Sequence, residues 1–299
     1  MNDVAPDSHQ NKPSAVFIST NKRYSLFANN LIHSILSHNS EAPDIIVAVT
    51  RDVHEGDIYT DNDRVHLIEN SVESAWLSHL QYHPGVDPAV YYGRLMPFQQ
   101  HQRFQEYGNI LYLDADTTVC GDISPLLSRP GFFQVATPNS TYSPFNIQAH
   151  DLHHDIRRLC CTSEKDLSFK PELMWNSWVM LIPPEIRNDD VYQELLRIQA
   201  TYGDIFQFAD QSLFALWMAK HGIRPTHESQ WNYMGTLYRG LWRKNKHLNY
   251  LPVRPKDARI YHVNTWYRPR LGLIEAKMVA QLGPSITMQV LSVLEKIRR

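Results

Sequence analysis

Two carboxylates separated by one alanine, Asp114-Ala115-Asp116, close the apolar run Ile110-Leu111-Tyr112-Leu113. The run reads as a short buried strand. If the backbone stays extended beyond it, the two acidic side chains point the same way, roughly 6.5 Å apart along the strand. Two carboxylates so close are costly to bury without a cation to pair with them. Hard oxygen ligands in this arrangement suit Mg²⁺ or Mn²⁺. The same residues also suit the start of a solvated loop, and the pair alone leaves both readings open.

Other residues have chemistry to offer. Arg94 lies one segment before the carboxylates, in a helical-looking stretch from Tyr91 to Tyr107 that Pro97 interrupts. It can pair with the carboxylates or with a phosphate, or sit on the surface. Asn176-Ser177 is a polar pair inside the apolar stretch Leu173–Ile182. Such a pair needs hydrogen-bond partners, from the core or from a ligand. Asp210 precedes the apolar run Leu213–Trp217 and suits a helix N-cap. His262 stands in the late strand Ile260–Val263, where a hydrogen-bonded structural histidine is the simplest reading. His150, His153 and His154 accompany Cys160 and Cys161 without metal-ligand spacing.

These residues must be positioned by the surrounding elements. Ala15–Ser19 and Ile45–Val49 are apolar strands flanking a helix marked by Tyr24, Phe27, Ala28, Leu31, Ile32, Ile35 and Leu36. That pattern predicts a βαβ unit in a parallel sheet. Ligands bind at the carboxyl ends of such strands, which makes Thr20, Asn21 and Tyr24 candidate cofactor contacts. An ordinary strand-to-helix turn is the alternative. No glycine-rich dinucleotide or phosphate-loop fingerprint is present. Arg64–Glu69, Phe132–Ala136 and Glu172–Ile182 are further strands, and Val191–Ile198 is a helix. A last helix starts at Pro284-Ser285 and ends at Arg298-Arg299.

Composition narrows the function classes. The chain has 299 residues, 43% hydrophobic and 20% charged, with a net charge of −2. It reads as globular, without a global pull toward nucleic acid. Cys120, Cys160 and Cys161 give no disulfide framework, which suits a reducing compartment. No run approaches the length of a membrane span. Between Tyr238 and Arg270, nine Lys and Arg residues face Asp257 alone, interleaved with Trp242, Tyr250, Tyr261, Trp266 and Tyr267. This basic-aromatic segment suits anionic headgroups, an anionic glycan or a diphosphate. A solvated basic loop is its plain alternative.

Taken in order, these features resemble the retaining glycosyltransferases of family 8, which include bacterial lipopolysaccharide galactosyl- and glucosyltransferases and glycogenin. The resemblance is carried by FIST-NKRY (17–24), Tyr92-Gly93-Arg94-Leu95 with Pro97, ILYLDADTTV (110–119), WNSWVMLI (175–182), FADQSLF (208–214), Trp231-Asn232-Tyr233 and HVNTWYRP (262–269). It implies a GT-A-type, Rossmann-like nucleotide-sugar transferase fold: α/β, with a mixed, mainly parallel sheet flanked by helices. It further implies that Asp114, Asp116 and His262 hold Mn²⁺, with Mg²⁺ as the alternative. Thr20, Asn21, Tyr24, Arg94, Asp114, Ala115 and Arg268 would contact a UDP-sugar, with Asp210, Gln211 and Asn176 at the reacting sugar. The implied activity is transfer of a glucose or galactose unit, with retention, to a glycan, lipid-linked glycan or protein acceptor. The loop 139–166 is the expected acceptor side.

The sequence departs from the family's pattern at several points. Asn-Ala-Gly is here Asn176-Ser177-Trp178, which puts an indole beside the expected sugar. Asp-Gln-Asp becomes Asp210-Gln211-Ser212, and in the last motif Thr265 replaces glycine, Arg268 lysine and Arg270 tryptophan. These changes motivate a second reading, a nucleotide-sugar or glycan-binding protein without turnover. A third is a haloacid-dehalogenase-like phosphatase with Asp114 as nucleophile and Asp116 as general acid, to which Gly203-Asp204 and Asp210 add a loosely spaced acidic motif. The expected organisation is a polar tail over 1–14, a catalytic domain over 15–270 and a helical extension over 271–299. The expected location is cytoplasmic, or at the inner face of a membrane.

Overall fold

The structure is a computed structural model, and it describes residues 12–71, 92–134, 177–203, 206, 209–223, 228–231, 233–234, 255–263 and 269–298. Nine strands are described. They are β1 (Ala15–Thr20), β2 (Asp44–Val49), β3 (Val65–Glu69), β4 (Ile110–Asp114), β5 (Thr117–Val119), β6 (Phe133–Gln134), β7 (Val179–Ile182), β8 (Tyr233–Met234) and β9 (Ile260–His262). The helices are α1 (Ser25–His38), α2 (Met96–Gln99), α3 (Ser124–Leu127), α4 (Asp189–Tyr202), α5 (Ala209–Lys220) and α6 (Pro269–Arg298).

Strands β3-β2-β1-β4-β7-β6 form one sheet. β1, β2, β3 and β4 run parallel, and β7 pairs antiparallel with β4. The apolar run Ala15–Ile18 of β1 follows from its place: the strand lies between β2 and β4, and every residue in it, Ser19 and Thr20 included, is buried. The chain leaves β1 through α1 to build β2 and β3 on one side, then returns to place β4 on the other. The crevice beyond the carboxyl ends of β1 and β4 is therefore the topological switch point, where open α/β sheets bind ligands. The strand register sets Ser19 beside Asp114 there.

Alternation along β1 and β4 feeds two cores. Val16, Ile18, Leu111 and Leu113 face Leu31, Ile32 and Ile35 of α1. Phe17, Ile110 and Tyr112 face Leu195 of α4 and Leu213, Phe214 and Trp217 of α5. Asp114, two residues after Tyr112, falls on this second face.

A smaller sheet, β5-β9-β8, sits where the chain turns out of β4. β5 and β9 pair antiparallel with Thr117 opposite His262, and the Val263 N–H donates to the Asp116 carbonyl at 3.1 Å. Phe27 of α1, Tyr233, Tyr261, Val263, and Ala276 and Val279 of α6 form a third core over this sheet. The Tyr261 hydroxyl also donates to buried Glu275 of α6.

Three expectations need correction. The stretch from Tyr91 to Tyr107 is a chain of single turns, Gly93–Leu95, α2 and His101–Phe104. Pro97 does not interrupt it but sits in the first turn of α2, where a missing N–H costs nothing. The C-terminal helix begins at Pro269, and what happens near Pro284 is a break. Gly283 takes φ 77°, ψ 164°, and Pro284 opens the second segment, so the proline does start a helix, though not the first one. Asp210 lies inside α5, which begins at Ala209, and does not precede it as a cap. The strand parts before Ser177 and after Gln134, the 139–166 loop with its histidines, and Asp204 lie outside the described residues.

The approach to β4 is held by a buried arginine. Arg187, between β7 and α4, donates to the carbonyls of Phe104 at 2.7 Å, of Tyr107 at 2.6 Å and of Gly108. Replacing it leaves the Phe104 carbonyl with the Tyr107 N–H and strips the carbonyls of buried Tyr107 and Gly108 of the arginine's hydrogen bonds. Arg187→Met is expected to cost about 2–4 kcal/mol in urea unfolding, and a midpoint within error of wild type would contradict this account.

Candidate active site

The centre of the site is Arg94, which is 4% exposed. Its Nη2 donates to Asp114 Oδ1 at 3.0 Å, and its Nη1 lies 2.6 Å from Asp210 Oδ2. Nη1 also reaches the Ser177 carbonyl at 3.1 Å and the Ser177 hydroxyl. That hydroxyl in turn donates to Asp210 Oδ2 at 2.6 Å. The guanidinium rests on the Tyr112 ring, 4.7 Å from its centroid, and the Tyr112 hydroxyl donates to Asp114 Oδ1 at 2.5 Å. Of the partners weighed for Arg94, the structure supplies the carboxylates. Of those weighed for Ser177, it supplies a pairing with the arginine and Asp210.

Sequence neighbours explain how Arg94 gets there. Gly93 presses its turn against the end of β1, and a Cβ at this position would stand 1.9 Å from Ser19 Oγ. Only glycine allows that approach, and the approach aims the next side chain across β1 at Asp114.

Asp116 and His262 form the other half. His262 Nε2 lies 3.0 Å from Asp116 Oδ1, and both residues are buried. Ligand atoms of Asp114, Asp116 and His262 all fall within 4.8 Å of one another. Two atoms on opposite sides of one ion, each bonded at about 2.1 Å, stand roughly 4.2 Å apart, so a small closure suffices. The charge count also fits. The carboxylates of Asp114, Asp116 and Asp210 outnumber the Arg94 guanidinium by two negative charges, the complement of a dication.

Burial pushes the Asp114 carboxyl above its ordinary range, although Arg94 pulls it down. Burial likewise raises Asp210 from 3.8 to about 6, opposed by Arg94 and the Ser177 hydroxyl. Without a cation, the cluster favours taking up a proton.

The remaining candidates divide. Thr20 ends β1 and Asn21 follows it at the same crevice, both buried. The Asn21 Oδ1 caps the next turn by accepting the Tyr24 N–H at 3.2 Å, and Tyr24 packs beside Phe27 with ring centroids 6.0 Å apart. These contacts are those of a strand-to-helix turn. The Ala115 side chain is buried in the α1-side core. Gln211 is half-buried in the first turn of α5, next to Asp210. Asn176, Arg268, Asn232, Thr265 and the basic-aromatic stretches 238–254 and 264–268 lie outside the described residues. Sequence reasoning missed Tyr112, whose two-residue offset from Asp114 on one strand face was the available signal. It also missed the contact of Trp178 with His262, ring centroids 3.8 Å apart, for which no local pattern exists.

Residues 15–269 match the profile of glycosyl transferase family 8. The galactosyltransferase LgtC, solved with donor and acceptor sugar analogues, superposes with a TM-score of 0.58 at 15% identity, over 89% of this chain and 95% of its own. Mouse xyloside xylosyltransferase 1 gives 0.53 at 15% identity, over 84% of this chain and 98% of its own. The glycosyltransferase GlyE of Streptococcus pneumoniae gives 0.55 at 17% identity, over 95% of this chain and 64% of its own. At these identities the likeness is one of fold: the mixed, mostly parallel sheet flanked by helices is that of GT-A glycosyltransferases. No curated protein sequence matches the chain. The match over 15–269 sets aside the phosphatase reading, and Asp114, held by both Arg94 and Tyr112, is poorly placed to serve as its nucleophile.

The raised Asp210 value has a direct consequence. A carboxyl whose folded value is about 6 against 3.8 stabilises the fold fully below about pH 4, and that contribution is lost as pH rises through the folded value. In EDTA, wild-type stability from urea midpoints should therefore fall between pH 4 and 7. Asp210→Asn should remove up to about 3 kcal/mol of that fall, one pKa unit being about 1.4 kcal/mol. An equally steep profile in the variant would assign the fall to other groups.

Proposed function

Because the chain belongs to glycosyltransferase family 8, we propose that it transfers a hexose, glucose or galactose, from a UDP-sugar to a hydroxyl of a glycan or related acceptor, with retention of anomeric configuration. The observation that carries this reading is the gathering of Asp114, Asp116 and His262 within 4.8 Å at the switch point of the sheet. Their mixed oxygen and nitrogen donors favour Mn²⁺ over Mg²⁺, because imidazole is the softer ligand. A divalent ion held by these residues supplies charge neutralisation to the departing diphosphate.

The other groups take the roles that the family resemblance gives them. Arg94 holds Asp114 and Asp210 in fixed orientation, so neither carboxylate swings away when a donor enters. Asp210, with Asn176, offers oxygen acceptors for sugar hydroxyls, and Gln211 stands next in line toward the reacting carbon. Thr20, Asn21 and Tyr24 lie where a uridine would rest, at the carboxyl end of β1, and Arg268 adds positive charge for the diphosphate. The proposed catalytic unit is residues 15–270, and its C-terminal extension is the part of α6 (Pro269–Arg298) that follows. No described helix is long and apolar enough to cross a membrane. The basic-aromatic segment 238–270 offers peripheral contact with anionic headgroups instead, which suits a lipid-linked acceptor at the inner face of a membrane.

Calorimetric titration of UDP in Mn²⁺ and in EDTA tests this reading. Binding should require the metal and weaken at least about 100-fold in Asp114→Ala, Asp116→Ala, as removal of metal ligands demands. A folded wild type that ignores UDP in both buffers would overturn it. UDP binding with no hydrolysis or transfer from UDP-glucose or UDP-galactose would favour the non-catalytic reading.

A further inference from the structure

We propose that Trp178 is a positioning residue for the metal site: its indole holds the His262 imidazole in the orientation that makes His262 a ligand. The inference rests on the metal–diphosphate reading above and concerns how this chain builds that site.

The starting point is how His262 is held. It is 2% exposed, and Nε2 faces Asp116 Oδ1 at 3.0 Å. Its second nitrogen, Nδ1, is buried and has no hydrogen-bond partner among the described residues. A metal-ligating imidazole is ordinarily oriented by a hydrogen bond from that second nitrogen to a carboxylate, carbonyl or water. Without one, rotation about χ2 is broad. What lies against the imidazole here is the half-buried indole of Trp178, with ring centroids 3.8 Å apart and planes at 59°. A contact this close blocks rotation of the smaller ring and adds a weak attraction between the two π systems.

The indole can do this because its backbone is fixed from both sides. The Trp178 carbonyl accepts the Asp114 N–H at 3.0 Å. Ser177 before it is bonded to Arg94 and Asp210. Val179 after it pairs with Leu113 in the β4–β7 ladder. Residues 177–179 thus lie against β4 where the first metal carboxylate is supplied. His262, by contrast, sits on β9, a strand of three residues in a separate small sheet. The indole is the side-chain link from the rigid large sheet to the ligand on the small one.

The test is Mn²⁺ affinity, read by electron paramagnetic resonance of free Mn²⁺, for wild type, Trp178→Phe, Trp178→Leu and Trp178→Ala, each checked for folding by its urea midpoint. Losing an outer-shell partner of a ligand weakens metal binding about 10- to 100-fold. Leu and Ala should show that loss, while Phe, which restores a ring, should recover most of it. In a His262→Ala background, Trp178→Leu should change affinity little further, since the residue acts through the imidazole. Wild-type affinity in the Leu and Ala variants, or an equal loss with His262 already removed, would overturn the inference while leaving the metal reading intact. A wild type that binds no Mn²⁺ would overturn both. Should Trp178→Ala fail to fold, the Phe and Leu variants decide.

Discussion

A guanidinium with almost no exposure to water lies between two carboxylates from distant parts of the chain, and the site is arranged around that contact. Arg94 reaches Asp114 at the end of β4 and Asp210 in the first turn of α5, with Ser177 completing the triangle. Each charge alone would be expensive to bury, and removing any one strands the others. The arrangement therefore ties three elements together: the turn after Tyr92, the central strand and α5. It also depends on a backbone detail, since any side chain at Gly93 would collide with Ser19 and carry Arg94 away from β4.

The other half of the site is built differently. Asp116 follows the last residue of β4 by two, but its partner His262 is 146 residues away. The pairing of β5 with β9 brings it back, and the buried Tyr261–Glu275 bond secures β9 to α6. One half of the site thus comes from the large, mostly parallel sheet with its charge cluster, and beside it lies a small sheet that delivers a histidine. Ser177 and Trp178 meet both, one through a hydroxyl and one through a ring. The C-terminal helix belongs to this architecture too, because it packs on α1 and β5 and covers the core behind His262.

How much of this was legible in sequence depended on whether the signal was local. The apolar runs of β1, β2 and β4 and the periodicity of α1 carry their own pattern, so the parallel unit and the acidic turn could be read directly. So could the candidacy of Asp114 and Asp116 as a carboxylate pair, because one residue separates them. Arg94 was visible as a candidate, but its partners depended on packing, and the structure selected the carboxylates. Single turns such as Gly93–Leu95 have no period to detect, and Pro97 reads as a breaker unless its place in a first turn is known. Asp210 looked like a cap because Asp before an apolar run commonly is one, yet the helix already begins at Ala209 and the carboxylate pairs with Arg94. Gly283 hid the first segment of α6, since the Pro-Ser after it looked like a beginning. Trp178 was legible only as an intrusion where glycine was expected. That its indole meets His262 is a long-range fact that no window of sequence contains.

The charge count joins these parts into one constraint. Two buried carboxylates, a part-buried third and one guanidinium leave the cluster at −2, and a folded protein does not hold that excess in a low-dielectric site without cost. The raised values of Asp114 and Asp210 are the form that cost takes in the metal-free chain. A proton relieves part of it, and a dication relieves all of it. Protons and metal are therefore competitors for the same imbalance, and binding of the metal must release protons as pH falls toward the raised values. The cost of burying the cluster and its fit to a divalent cation are two consequences of the same arrangement of Asp114, Asp116 and Asp210 around Arg94.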